Sequence, residues 1–129
     1  MGINYATFRC LAEMSRRFTP DGRSLMLGRQ KLRLTRDLRT GSRALTLWRY
    51  RRLLADCGAD PDPMRYVQDD PYSETFFRAL GFGEIETLDY APYEGAGLVH
   101  DLNQPVPEAW HGAFGFIFDG GTLEHVFDL

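Results

Sequence analysis

With 129 residues, 43% of them apolar, the chain suits one domain with a real hydrophobic core. It contains no apolar run of about 18 residues and its first residues lack the apolar core of a signal peptide, so neither a membrane-spanning helix nor a secretory signal is expected. The net charge of -3 conceals a division. Residues 1–52 carry twelve Arg and Lys31 against Glu13, Asp21 and Asp37, a net of +10. Residues 53–129 carry Arg65 and Arg78 against fifteen acids, a net of -13. Such a split points either to a phosphate-bearing partner for the basic half or to two halves that pack together and neutralise each other, and the second is the more economical. Cys10 and Cys57 are isolated thiols with no CxxC or Cys/His spacing, which fits free thiols in a reducing compartment. The expectation is a soluble, cytoplasmic protein with no membrane partner. Met1-Gly2 does not mark myristoylation, because position 6 is Ala.

In chain order, Tyr5, Phe8, Leu11, Ala12, Met14 and Phe18 recur near helical spacing and predict an amphipathic helix over 3–18, stopped by Thr19-Pro20-Asp21-Gly22. Ser24 to Gly28 is a short apolar run bounded by glycines and predicts a buried strand, with Arg29 and Gln30 in the loop at its end. Residues 30–40 predict a helix with Arg on its solvent face. Residues 43–55 predict a better one, ending at Cys57-Gly58. Residues 56–63 are loop by composition, since Pro61 and Pro63 prevent helix continuation. Ser73 is placed to cap a helix carrying Phe76, Phe77, Ala79 and Leu80, with Gly81 as its stop. Strands are predicted over 84–89, 97–101 and 114–119, with a brief turn at 108–111. Alternating strands and helices favour an α/β sheet.

Those three strands end in Asp89, Asp101 and Asp119. Acids are common at strand ends, but their order and context are more specific. Phe116, Ile117 and Phe118 run into Asp119 and Gly120-Gly121, followed by Leu123, Glu124, His125 and Val126. This resembles the fourth-strand segment of class I S-adenosylmethionine-dependent methyltransferases, whose usual wording is close to "FDxVxxxxxLEHV". The resemblance covers 72–129 well and 23–30 loosely.

The resemblance implies a Rossmann-like α/β fold: a mostly parallel sheet, about four strands of it present, with flanking helices and an N-terminal helical segment. It also implies S-adenosylmethionine as cofactor and an unidentified methyl acceptor. Asp89, followed by Tyr90, would accept hydrogen bonds from the ribose diol, since a carboxylate offers two acceptors to two donors. Asp101 and the Leu102 backbone would meet the adenine, and the loop Asn103–Pro107 is similar to the proline-bearing loop that follows in the family. Asp119 and Gly120 would lie under the methionine half. Asp119 and His125 are the catalytic candidates, without a general base assigned, and the plainer reading of Glu124 and His125 is helix-terminal electrostatics and solvent exposure.

The sequence departs from the family in its glycine-rich loop. The turn Gly28-Arg29-Gln30 carries one glycine where the family has a GxGxG-type turn, and Gly28 is the candidate for close cofactor approach. The interval from Gly28 to Asp89 far exceeds the roughly 20 residues of a dinucleotide-type unit, which suggests a basic helical insert at about 30–69. The match stops after the fourth strand and implies a single incomplete domain over 1–129. An exposed sheet edge would then invite a second copy or another chain.

Two other functions stay open. One is a non-catalytic methyltransferase-like fragment that acts through protein association. The other is a basic nucleic-acid-binding module using residues 29–52, with Trp48 and Tyr50 available to stack. Zinc is not indicated, because His100, His111 and His125 lack Cys partners and i,i+4 spacing. No nucleophile elbow or Ser-His-Asp pattern is present.

Overall fold

The computed structural model describes residues 2–127. It is an α/β fold with helices packed on a parallel sheet, as the sequence predicts. The described residues form six strands, β1 (Gly2–Ile3), β2 (Arg23–Leu27), β3 (Lys31–Leu32), β4 (Ile85–Asp89), β5 (Leu98–Val99) and β6 (Phe114–Asp119), and four helices. These are α1 (Tyr5–Ser15), α2 (Arg33–Thr40), α3 (Arg43–Cys57) and α4 (Glu74–Ala79). The main sheet has the order β5-β4-β2-β6, and every neighbouring pair is parallel. A two-stranded parallel ladder, β1 with β3, stands beside it.

Local chemistry explains most of the boundaries. The Asn4 side chain accepts from the Thr7 N–H at 3.0 Å and starts α1, and Ser42 does the same for α3. Gly58, in the left-handed region at φ 68°, closes α3. α4 differs from expectation. The Ser73 hydroxyl donates to the Gln30 carbonyl at 2.8 Å instead of capping the helix. The free Thr75 N–H is taken by the Gln68 side chain at 2.8 Å, so a residue outside the helix supplies the cap.

Several expectations need correcting. The 30–40 segment opens with β3 before α2 begins at Arg33, because Leu32 pairs with Ile3 rather than entering a helical turn. The loop expected over 56–63 starts later, since α3 continues to Cys57, and a 3-10 turn, Pro63–Tyr66, follows. The strand expected over 97–101 is only β5, so Asp101 lies two residues beyond it. The helix expected after Asp119 is a single 3-10 turn, Leu123–His125.

The core lies on one face of the sheet. Met26 from β2 packs with Phe8 and Leu11 of α1, Leu34 of α2, Leu53 and Leu54 of α3, and Phe76 and Phe77 of α4. Residues of the 30–69 segment therefore build this core together with α1 and α4. The opposite face holds a smaller cluster, Leu25, Leu27 and Leu88, covered by Leu98 of β5 and by Leu102, Trp110 and Leu123 from loops and 3-10 turns. Charge neutralisation between the two halves is partial: Arg23 pairs with Glu86, Arg29 with Asp70 and Glu74, and Lys31 with Glu94. β6 is an edge strand, paired with β2 alone, and its Ile117 is 55% exposed. Among the described residues no helix is long and apolar enough to cross a membrane.

Candidate functional site

Because the four strands of the main sheet are parallel, their C-terminal ends come to one edge. Gly28, Asp89, Tyr90, His100, Asp101, Asp119 and Gly120 all gather there. The register sets Leu27 of β2 beside both Leu88 of β4 and Asp119 of β6. The chain leaves β2 toward β4 and returns to β6 on the other side, so β2 and β6 flank a topological switch point. Ligands of open α/β sheets bind in that position.

Two cavities open at this edge. The larger, about 250 Å³, is lined by Asp89, Tyr90, Asp101, Leu102 and His125 together with His100, Asn103 and Thr122. Five residues singled out in the sequence thus converge on one space. The smaller, about 190 Å³, is lined by Gly28, Arg29, Gln30, Lys31, Asp89, Glu94 and Thr122. Asp89 and Thr122 border both. Each cavity is smaller than the roughly 300–1,000 Å³ of a drug-sized ligand site, and the two together fall inside that range.

The three acids are held differently. Asp89 accepts from the Tyr90 N–H at 2.7 Å through Oδ1, and among the described residues Oδ2 has no hydrogen-bond partner. Asp101 accepts from the Asn103 backbone N–H and from its side-chain amide, both at 2.9 Å. These bonds, the backbone one first, hold the Asp101 carboxyl below the usual carboxylate range. Asp119 accepts from the N–H groups of Gly121, Thr122 and Leu123 at 3.0, 2.7 and 3.4 Å. It closes the turn after β6 and lines neither cavity. His125 stands at the mouth of the larger cavity, largely exposed, with Nε2 3.4 Å from a Glu124 carboxylate oxygen.

The glycines face the chain's own side chains. Gly28 sits in the left-handed region at φ 68°, and a Cβ there would lie 2.7 Å from the Thr122 Oγ1. That hydroxyl donates to the Leu27 carbonyl at 3.0 Å and ties the β6 turn to the end of β2. A Cβ at Gly120 would lie 2.6 Å from Cδ of Gln30. Gln30 is 3% exposed and donates through Nε2 to the Gly28 carbonyl at 3.0 Å, while its Oε1 has no partner. A buried acceptor without a donor is costly, and this one is covered by Gly120, whose added Cβ would lie 2.7 Å from it.

The loop after β2 is rigidly held. The Arg29 guanidinium stacks on the Tyr72 ring at 3.8 Å, donates to the Glu94 carbonyl at 2.9 Å and bonds the Asp70 and Glu74 carboxylates. Lys31 lies 3.5 Å from Glu94, which adopts φ 63°, an uncommon conformation for a residue with a side chain.

Gln30 was legible as part of the Gly28-Arg29-Gln30 turn, whereas Lys31, Glu94 and Thr122 were not among the residues picked out for the site. Those three reach it through contacts far apart in the chain and carry no local signal. Asn103 did carry one, an amide two residues after a strand-end Asp, the pattern of an Asx turn. Among the described residues no group of His, Cys, Asp and Glu is arranged to hold a metal ion. Comparison with protein-family models, curated proteins and solved structures finds no match to this chain.

Proposed function

We propose that the carboxyl edge of the sheet binds S-adenosylmethionine and that the domain serves methyl transfer to an acceptor still to be identified. The observation that carries this reading is the convergence of Asp89, Tyr90, Asp101, Leu102 and His125 on one cavity beside a switch point.

The residues fit the adenosine half. The free Oδ2 of Asp89 is available to a ribose diol, and Asp101 is held in the ionised form that an exocyclic amino group would meet. The methionine half has no glycine cradle, because the room beside Gly28 and Gly120 belongs to Thr122 and Gln30. It has instead the Lys31–Glu94 pair, whose opposite charges suit the zwitterion of an amino acid. The cofactor supplies an activated methyl group. The chain's part is to hold and orient it, so positioning rather than proton transfer is the expected contribution. His125, at the cavity mouth, is the group placed to take a proton from an acceptor.

Calorimetric titration with adenosine and with S-adenosylhomocysteine tests this. Micromolar binding is expected for S-adenosylhomocysteine. Asp89→Ala should weaken both ligands by about 100-fold, from two lost charge-assisted hydrogen bonds, without lowering the melting temperature. Unchanged affinity in that variant would remove the ribose assignment.

Lys31→Ala separates the two halves of the ligand. It should weaken S-adenosylhomocysteine about 10-fold and leave adenosine unaffected, since the cation facing the amino-acid carboxylate is lost. Equal or tighter binding of S-adenosylhomocysteine would show that Lys31 does not meet the ligand.

A second reading, a non-catalytic fragment acting through the open β6 edge, is favoured by Gly28 and Gly120 being matched to the chain's own side chains. Absence of binding by either ligand, with a stable dimer in sedimentation, would establish it in place of the first.

A further inference from the structure

Seven of the fourteen arginines of this chain, Arg9, Arg23, Arg29, Arg33, Arg36, Arg65 and Arg78, have a carboxylate partner, as does Lys31. Arg43, Arg49, Arg51 and Arg52 on α3 pair with no carboxylate among the described residues, nor does Arg16, whose guanidinium lies against Gly58 at the end of that helix. The core side of α3 is Thr46, Tyr50, Leu53, Leu54 and Cys57. Its solvent half carries Arg52 near the centre with Arg49 and Arg51 at opposite flanks, a single acid, Asp56, and two apolar side chains, Leu45 and Trp48, the latter 57% exposed. Arg43 sits on the azimuth of Tyr50 and reaches the Met64 sulfur. The Arg52 guanidinium lies over the Trp48 ring at 5.8 Å.

We infer that the solvent face of α3 is a docking surface for single-stranded nucleic acid. The favoured occupant is polyanionic, since Arg49, Arg51 and Arg52 spread across the solvent half of α3 with no carboxylate partner among the described residues, and phosphate matches their fork of donors. It must also offer a flat π surface, since Trp48 is held open to solvent beside a cation. An unpaired base does so and a duplex does not.

A second copy of this chain is the competing occupant, since acids such as Asp62, Glu108 and Glu124 pair with no Arg or Lys among the described residues. Dimerisation at low salt without oligonucleotide binding would establish it in place of nucleic acid. An anionic membrane calls for a continuous apolar face, and here only Leu45 and Trp48 are offered, interleaved with charge. Tyr50, the other stacking candidate in the sequence, takes no part. Its ring is buried against Phe8 and Tyr5, and that burial pushes its phenol up to about 12. The inference does not depend on the cofactor reading.

Fluorescence anisotropy with a labelled oligodeoxythymidylate of about 16 nucleotides tests it, titrated between ~50 and ~200 mM salt. Binding should weaken with salt at a log–log slope of about -0.7 per phosphate contacted, and Arg49→Ala or Arg52→Ala should each reduce the slope by about 0.7. Trp48→Ala should weaken binding about 5- to 150-fold, with Trp48→Phe recovering much of it, because stacking needs a ring and not the indole N–H. The exposure of Trp48 means both variants should melt at the wild-type temperature. The inference fails if the oligonucleotide does not bind at low salt, or if Trp48→Ala binds as the wild type does. It fails equally if duplex DNA or anionic vesicles bind more tightly than the single strand.

Discussion

Phe77→Ala should cost about 3–5 kcal/mol of folding stability, the range for truncating a buried aromatic ring. Phe77 is 0% exposed and touches the rings of Phe76, Phe82 and Phe118, with centroids at 5.4, 5.7 and 5.2 Å. It therefore joins α4 to β6 and to the turn ahead of β4. The alanine loses the transfer free energy of the ring and leaves a cavity that aromatic neighbours on three elements cannot close. Set against a total stability of about 5–15 kcal/mol, the loss would leave a marginal protein. Urea unfolding reads it as a fall in the midpoint at unchanged slope. Phe18→Ala is the control, because Phe18 is substantially exposed and meets only the edge of the cluster at Phe116. Equal shifts for the two variants would mean that the aromatic cluster is not the centre of the core.

The second large effect is expected at Gly115, where the demand is for space and not for an unusual backbone conformation. The register between β2 and β6 shifts there, Arg23 facing Phe114 and Ser24 facing Phe116, so Gly115 is the extra residue of a bulge. A Cβ at Gly115 would lie 2.0 Å from the Asp21 carbonyl oxygen, with the Asp21 carbonyl carbon and nitrogen at 2.9 and 3.0 Å. These are backbone atoms and cannot swing aside. Gly115→Ala should destabilise by at least the ~1–3 kcal/mol of an overpacked site. It should also release β6, and with it Asp119 and Thr122, from β2. Gly112→Ala is the comparison, since its φ is 67° but no atom lies within 4 Å of the added carbon. That change should cost only about 1–2 kcal/mol of backbone strain. Amide exchange along β2 separates the cases: faster exchange at Leu25 and Leu27 in Gly115→Ala alone is the expected result, and identical protection in both variants would refute it.

Both predictions bear on the site, because the site is built from strand ends. If β6 parts from β2, the Thr122 hydroxyl leaves the Leu27 carbonyl and both cavities lose a shared wall.

The sequence by itself determined the local order of this fold. The apolar run 24–27 between glycines, the alternation in 84–89, the helical spacing in α1 and α3, and the stops at Gly58 and Gly81 all express preferences of a few neighbouring residues, which is why they could be read directly. The acids at the strand ends were legible for the same reason, since parallel strands deliver whatever follows them to one edge.

Only the tertiary structure decided what those residues do there. It brought Asp89 and Asp101 to one cavity and turned Asp119 into its own loop, because three backbone N–H groups wait just beyond it. It gave the cap of α4 to Gln68 and sent Ser73 to the Gln30 carbonyl, because the Ser73 hydroxyl is buried against β2's end and cannot serve both. It made Gly28 and Gly120 seats for Thr122 and Gln30, contacts of residues distant in sequence that leave no mark in a local pattern. It also separated Trp48 from Tyr50, two aromatics two positions apart on α3. Two residues turn a helix by about 200°, so the core claimed one ring and left the other in water.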